Sequence, residues 1–150
     1  MLWLPSTKQK PDFRIEFPSP LLVELVDGED FLFRLIGAFD VVVRVQGEEV
    51  VCFKIHPGFM TDFASVPRFL WSILPPIGKY AKAAVLHDAL YRFQVFSRKV
   101  CDYLFLLAME ACRVPFWERY ALYWGVRIGG WVVFNKYGKK TPTDGKFEIL

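Results

Sequence analysis

Four prolines, Pro57, Pro67, Pro75 and Pro76, separate two stretches of opposite local preference. Each ring fixes φ and removes an amide donor, so neither a long helix nor a central strand can run through this segment. Residues 57–78 are therefore expected to form a structured loop. Ahead of it, from Leu21 to Ile55, β-branched and aromatic runs alternate with turn residues, the pattern of an antiparallel meander. Strands are expected at Leu21–Val26, Phe31–Leu35, Phe39–Gln46 and Glu49–Ile55, with Asp27-Gly28 and Gln46-Gly47 as turns where positive φ costs little. In the third run Val41, Val43 and Val45 alternate with Val42, Arg44 and Gln46, which predicts one apolar face.

Beyond Gly78 the preference reverses. The run from Lys79 to Phe93 is rich in good helix formers and has no breaker, so a helix is expected over Tyr80–Phe93. Ser97 is placed to cap a second helix that must end before Pro115. A third is expected from Phe116 to about Gly129, then a short extended run Trp131–Phe134. Residues 1–20 read as an N-terminal arm and 135–150 as a mobile polar tail. With 150 residues, 53% of them hydrophobic, the chain can bury a core within one domain. The expected class is α+β, an N-terminal antiparallel meander followed by a helical half at 79–134.

The net charge of +3 is spread among acidic residues rather than gathered into a basic stripe, which argues against a nucleic-acid partner. Cys52, Cys101 and Cys112 are odd in number and lack metal-ligand spacing, so free thiols and a reducing compartment are expected. The N-terminus has no secretory pattern, and the apolar stretch from Tyr120 to Phe134 falls short of the roughly 20 residues a spanning helix needs. Synthesis in the cytoplasm, without export or membrane insertion, is the expectation. Aromatic residues make up 17% of the chain, enough for either a dense core or a surface meant for an apolar partner.

With only His56 and His87 present, a site built from three imidazoles is excluded. His87 and Tyr91 stand four residues apart and share a helix face, while Asp88 is turned about 100° away. Asp102, near the start of the next helix, is placed to hold one nitrogen of His87. A neutral imidazole so held accepts a proton from water at its other nitrogen, and the carboxylate stabilises the cation that forms. Asp88, with carbonyl oxygens of the preceding loop, suits a hard cation that would polarise an ester carbonyl. Zinc fits less well with a single imidazole. Also open is a purely structural His87–Asp102 pair, with Asp88 an ordinary solvated acid. Trp71, Trp117, Trp124 and Trp131 suit a lipid-facing rim, although packing in the core or against a partner is the commoner role of such residues.

Four motifs in order, Gly58-Phe-Met-Thr-Asp-Phe-Ala-Ser-Val-Pro-Arg-Phe-Leu-Trp, Ala83-Ala-Val-Leu-His-Asp-Ala-Leu-Tyr, Ser97-Arg-Lys-Val-Cys-Asp-Tyr-Leu-Phe and Val126-Arg-Ile-Gly, resemble an uncharacterised domain family of bacteriophage and prophage genomes. That resemblance spans roughly residues 30 to 130 and implies a phage or prophage origin. Locally, His87-Asp-Ala-Leu-Tyr followed by Asp102-Tyr-Leu-Phe is similar to the two catalytic helices of phospholipases A2. This second resemblance implies that His87 is the general base, Asp88 binds calcium, Tyr91 steadies the catalytic aspartate and Asp102 orients the histidine. The loop from Gly58 to Pro67 stands where those enzymes carry their calcium loop, and Asp62 within it is placed either to supply an oxygen ligand or only to cap a turn. The implied activity is calcium-dependent hydrolysis of lipid or other esters, acting at a membrane surface. The competing reading is a noncatalytic virion component, in tail or assembly, that docks other phage structural proteins.

Overall fold

The structure, a computed structural model, describes residues 12–27, 32–61, 79–137 and 146–150. It is α+β: antiparallel strands β1 (Phe13–Glu16), β2 (Val23–Val26), β3 (Leu32–Leu35), β4 (Phe39–Val45), β5 (Glu48–Ile55) and β6 (Met60–Thr61) precede helices α1 (Ala81–Phe93), α2 (Arg98–Ala111) and α3 (Phe116–Tyr137), and β7 (Phe147–Ile149) closes the chain. The strands form two sheets, ordered β1-β4-β5-β7 and β2-β3-β6. Consecutive strands pair as the hairpins β2–β3 and β4–β5, and the chain passes between sheets in the short link after Leu35. There the Leu35 amide donates to the Phe59 carbonyl and the Gly58 amide to the Leu35 carbonyl, so β6 rather than β4 takes the free edge of β3.

The β4–β5 turn is the expected Gln46-Gly47, with φ of 53° and 85°. Two successive positive values suit the right-handed twist of the flanking strands. The apolar face of β4 also forms as the alternation implies, since Val41 and Val43 are buried beside Phe39. Three strands lie where none was expected: β1 within the 1–20 arm, paired with β4, β6 within the 57–78 loop, paired with β3, and β7 within the 135–150 tail, paired with β5. All are four residues or fewer and gain their stability from an existing sheet edge, which leaves little local pattern to read. Gly28 of the expected Asp27-Gly28 turn and most of the 57–78 loop, including Asp62 and Trp71, lie outside the described residues.

The helices keep to the local signals at their ends. Ser97 accepts from the Val100 amide as the N-cap of α2, and α1 stops at Gln94 in the left-handed region, its amide donating to the Leu90 carbonyl. α3 departs from expectation because it runs unbroken to Tyr137, so the predicted extended run Trp131–Phe134 is helical. Gly130 explains this. A Cβ there would stand 2.6 Å from the Tyr91 hydroxyl, so the glycine serves a close helix approach and not a break. No helix among the described residues is long and apolar enough to cross a membrane.

The core lies between the four-stranded sheet and the helices, with aromatic rings at its centre. Phe147 of β7 stacks on Phe53 at 5.7 Å and on Phe93 of α1 at 5.2 Å, and Phe96 meets Phe53 edge-on. Cys101 is buried, which pushes its thiol up to about 12, and all three cysteines are free. Replacing Phe147 by Ala removes the ring that joins the C-terminal strand to both sheet and helix. The expected loss is about 3 kcal/mol of unfolding free energy in urea titration, whereas a loss below ~1 kcal/mol would contradict a docked β7.

Candidate functional site

The centre of the helical half is a polar knot around a buried carboxylate. Asp102, one turn into α2, has no exposed surface. One of its oxygens, Oδ1, accepts from His87 Nε2 at 2.8 Å and from the Tyr91 hydroxyl at 2.5 Å. The other, Oδ2, accepts from Arg127 of α3 at 2.7 Å and from Arg98 at 3.4 Å. Arg98 lies four residues before Asp102 on α2, so the pair shares one helix face. It also donates to the α3 carbonyls of Val126 and Arg127 at 3.0 and 3.1 Å, which ties α2 to α3.

The imidazole of His87 lies between two rings, Tyr91 at 4.1 Å and Phe105 at 4.6 Å between centroids. Only 3% of the residue is exposed. Its Nε2–H is committed to Asp102, which fixes the tautomer and leaves the lone pair on Nδ1. Nδ1, the other ring nitrogen, has no hydrogen-bond partner among the described residues.

Burial and pairing push the two titrating groups apart. Desolvation lowers the His87 pKa below 6.5, outweighing the opposing pull of Asp102, so the ring is neutral near pH 7. Burial by itself would raise the Asp102 carboxyl, but hydrogen bonds from His87, Tyr91 and Arg127 hold it below 3.8 and keep it ionised. Tyr91 is raised by burial and by the adjacent carboxylate, so its hydroxyl keeps its proton and remains a donor.

Of the residues singled out in the sequence, His87, Tyr91 and Asp102 come together, whereas Asp88 does not join them. The Asp88 carboxylate accepts from the hydroxyl of Thr61, on β6 of the other sheet. Thr61 is itself almost fully buried. Asp62, next along the chain, lies outside the described residues. Among those residues no group of three or more His, Cys, Asp or Glu is arranged to hold a metal.

Sequence reasoning left Arg98 and Arg127 out of the site. The four-residue spacing to Asp102 was a usable signal for Arg98. Arg127 was marked only by the motif Val126-Arg-Ile-Gly; it is 25 residues from its partner and reaches it because α3 packs across α2.

Residues 39–126, from β4 to the middle of α3, match the family described as "Protein of unknown function (DUF1353)". The matched span holds His87, Asp88, Tyr91, Arg98 and Asp102. The chain is also similar to "Uncharacterized protein y4jT" of Sinorhizobium fredii, with 37% identity over 103 residues, 61% of this chain and 30% of that protein. It thus spans about three tenths of that relative's length. No solved structure matches the chain.

Both shifts in the pair make the fold sensitive to acid. Below 6.5 the unfolded chain protonates a histidine that the folded chain keeps neutral, so stability falls as pH drops toward the folded pKa of His87. The Asp102 contribution is present above 3.8 and is lost only as pH falls through its lower folded value. The thermal midpoint is therefore expected to fall between pH 7 and pH 5, and to fall less in His87→Gln than in the parent chain. Equal slopes in the two proteins would contradict a neutral, desolvated His87.

Proposed function

The chain belongs to the DUF1353 family, and from the geometry around Asp102 we propose that it hydrolyses esters, lipid esters in particular, with water activated by His87. The observation that carries this reading is the sharing of one buried carboxylate oxygen between His87 Nε2 and the Tyr91 hydroxyl. That arrangement leaves a neutral imidazole with its tautomer fixed and one nitrogen uncommitted, as a general base requires.

In the proposed reaction Nδ1 takes a proton from water as the water oxygen attacks the ester carbonyl carbon. Asp102 stabilises the imidazolium so formed, and Tyr91 and the two arginines hold the carboxylate still. The imidazolium then returns the proton to the departing alkoxide as the carbon–oxygen bond breaks, giving an acid and an alcohol. In His87→Gln, release of fatty acid from phospholipid vesicles is expected to fall by about 10³-fold or more while the fold is retained. In the parent chain the rate should fall on acidification, with a midpoint below the ordinary histidine value. No fatty-acid release by the parent chain from any ester tested would end this reading.

Calcium enters the proposal through Asp88. Its carboxylate and the Thr61 hydroxyl are hard oxygen donors of the kind calcium prefers, but among the described residues two side chains fall well short of the six to eight oxygens in its shell. Every step above is accordingly carried by the chain's own residues. A calcium ion held there would supply charge to polarise the ester carbonyl. Excess calcium is expected to raise the thermal midpoint of the parent chain but not that of Asp88→Asn. No rise in the parent chain would remove the ion from the proposal.

The second reading is a noncatalytic component of a phage particle, in keeping with the phage or prophage origin that the motif series implies. It is favoured by the burial itself, since His87 at 3% and Asp102 at 0% exposure suit a polar brace between helices. Under that reading His87→Gln loses stability but no activity, and the protein copurifies with particles.

A further inference from the structure

α3 has two apolar faces, only one of which meets the core. Leu122 and Gly130 face inward, but Trp117, Trp124 and Trp131 are 57%, 57% and 55% exposed, so they do not pack in the core. Ile128 is 75% exposed on the same side, and Val132 lies one turn on from it, 55% exposed. None of the exposed positions from Phe116 to Asn135 is charged. With aromatic side chains of about 150–250 Å², these five present roughly 550 Å², the upper end of the largest patch on a typical monomer, and two copies together would clear the roughly 1,000 Å² that a specific interface needs.

The spacing has an internal order. Positions 117, 121, 124, 128, 131 and 135 alternate steps of four and three, the seam along which two helices pack. The tryptophans recur every seven residues, and small residues, Ala121, Gly125 and Gly129, lie between them. A Cβ added at Gly125 or Gly129 would meet nothing within 4 Å among the described residues, so no contact there calls for these glycines. Glycine in an exposed helix interior is unfavourable without such a cause. The stripe is also symmetric about Trp124, with tryptophan seven residues to either side. Across a two-fold axis a residue near the centre meets its own copy, where any charge would repel its image. An uncharged seam of alternating large and small residues is self-complementary in that setting. A bilayer would accept the indoles but has no need of the glycines.

We propose that the outward face of α3 pairs antiparallel with the same face of a second copy of this chain, across a two-fold axis near Trp124. Trp117 of one copy then lies opposite Trp131 of the other, and the indoles enter the spaces over Ala121, Gly125 and Gly129. This pairing does not depend on the hydrolase reading.

Sedimentation velocity of the full chain across the micromolar range is expected to show a concentration-dependent dimer. Trp124→Glu should be monomeric. Gly125→Leu is the sharper variant, because the substitution has open space in the single chain and favours its helix. It should retain its helical circular dichroism and weaken dimerisation by about tenfold or more. A parent chain that stays monomeric overturns the proposal, as does a Gly125→Leu protein that dimerises as tightly as the parent. A monomer that instead cosediments with phosphatidylcholine–phosphatidylglycerol vesicles, and loses this in Trp124→Glu, also overturns it and assigns the face to a bilayer.

Discussion

The arrangement of the three helices depends on the Asp102 carboxylate. A charge withdrawn from water costs several kcal/mol unless its lone pairs are filled, and removing one partner of such a group is far more damaging than losing a surface pair. Asp102 receives four donors, two from α1, one from its own helix and one from α3. That requirement fixes how α1 and α3 cross α2. Arg98 reinforces it by also capturing two backbone carbonyls of α3, and Gly130 permits it by letting α3 close on Tyr91. The four-stranded sheet supplies the apolar floor on which this polar knot rests.

The same network sets the chemistry available to His87. Desolvation favours the neutral ring while three hydrogen bonds favour the ionised acid, so the two members of the pair are driven to the states that a base and its orienting carboxylate need. Stability and candidate function thus draw on one set of contacts. Asp88 belongs to a different part of the molecule. Being one residue on from His87, it points to another sector of α1 and meets Thr61, linking the helical half to the smaller sheet. α1 is accordingly a two-sided connector, with a polar knot on one side and a strand contact on the other.

Much of this was legible locally. The β4–β5 hairpin follows from Gln46-Gly47 between β-branched runs, α2 from its serine cap, and the start of α3 from Pro115. The meeting of His87, Tyr91 and Asp102 followed from a four-residue spacing on one helix and an acid early on the next. What escaped were features whose cause lies elsewhere in the chain. β1 and β7 exist because β4 and β5 offer edges, and the last two turns of α3 persist through two glycines because one of them faces Tyr91. The tryptophans of α3 show the same limit. Their residue type suits burial, yet the inward side of that helix was already taken by Leu122, Gly130 and their neighbours.

By itself the sequence determined the order of β2 to β5 and of the three helices, the sites of the main breaks, and which imidazole and acids fall on which helix face, because these depend on dihedral preference and periodicity over a few residues. Only the tertiary structure decided that the strands divide into two sheets, that Asp88 turns to Thr61, and that Arg127 closes the shell of Asp102. Those outcomes rest on filling the hydrogen-bond capacity of groups withdrawn from water, and the partners that fill it come from segments far apart in the chain.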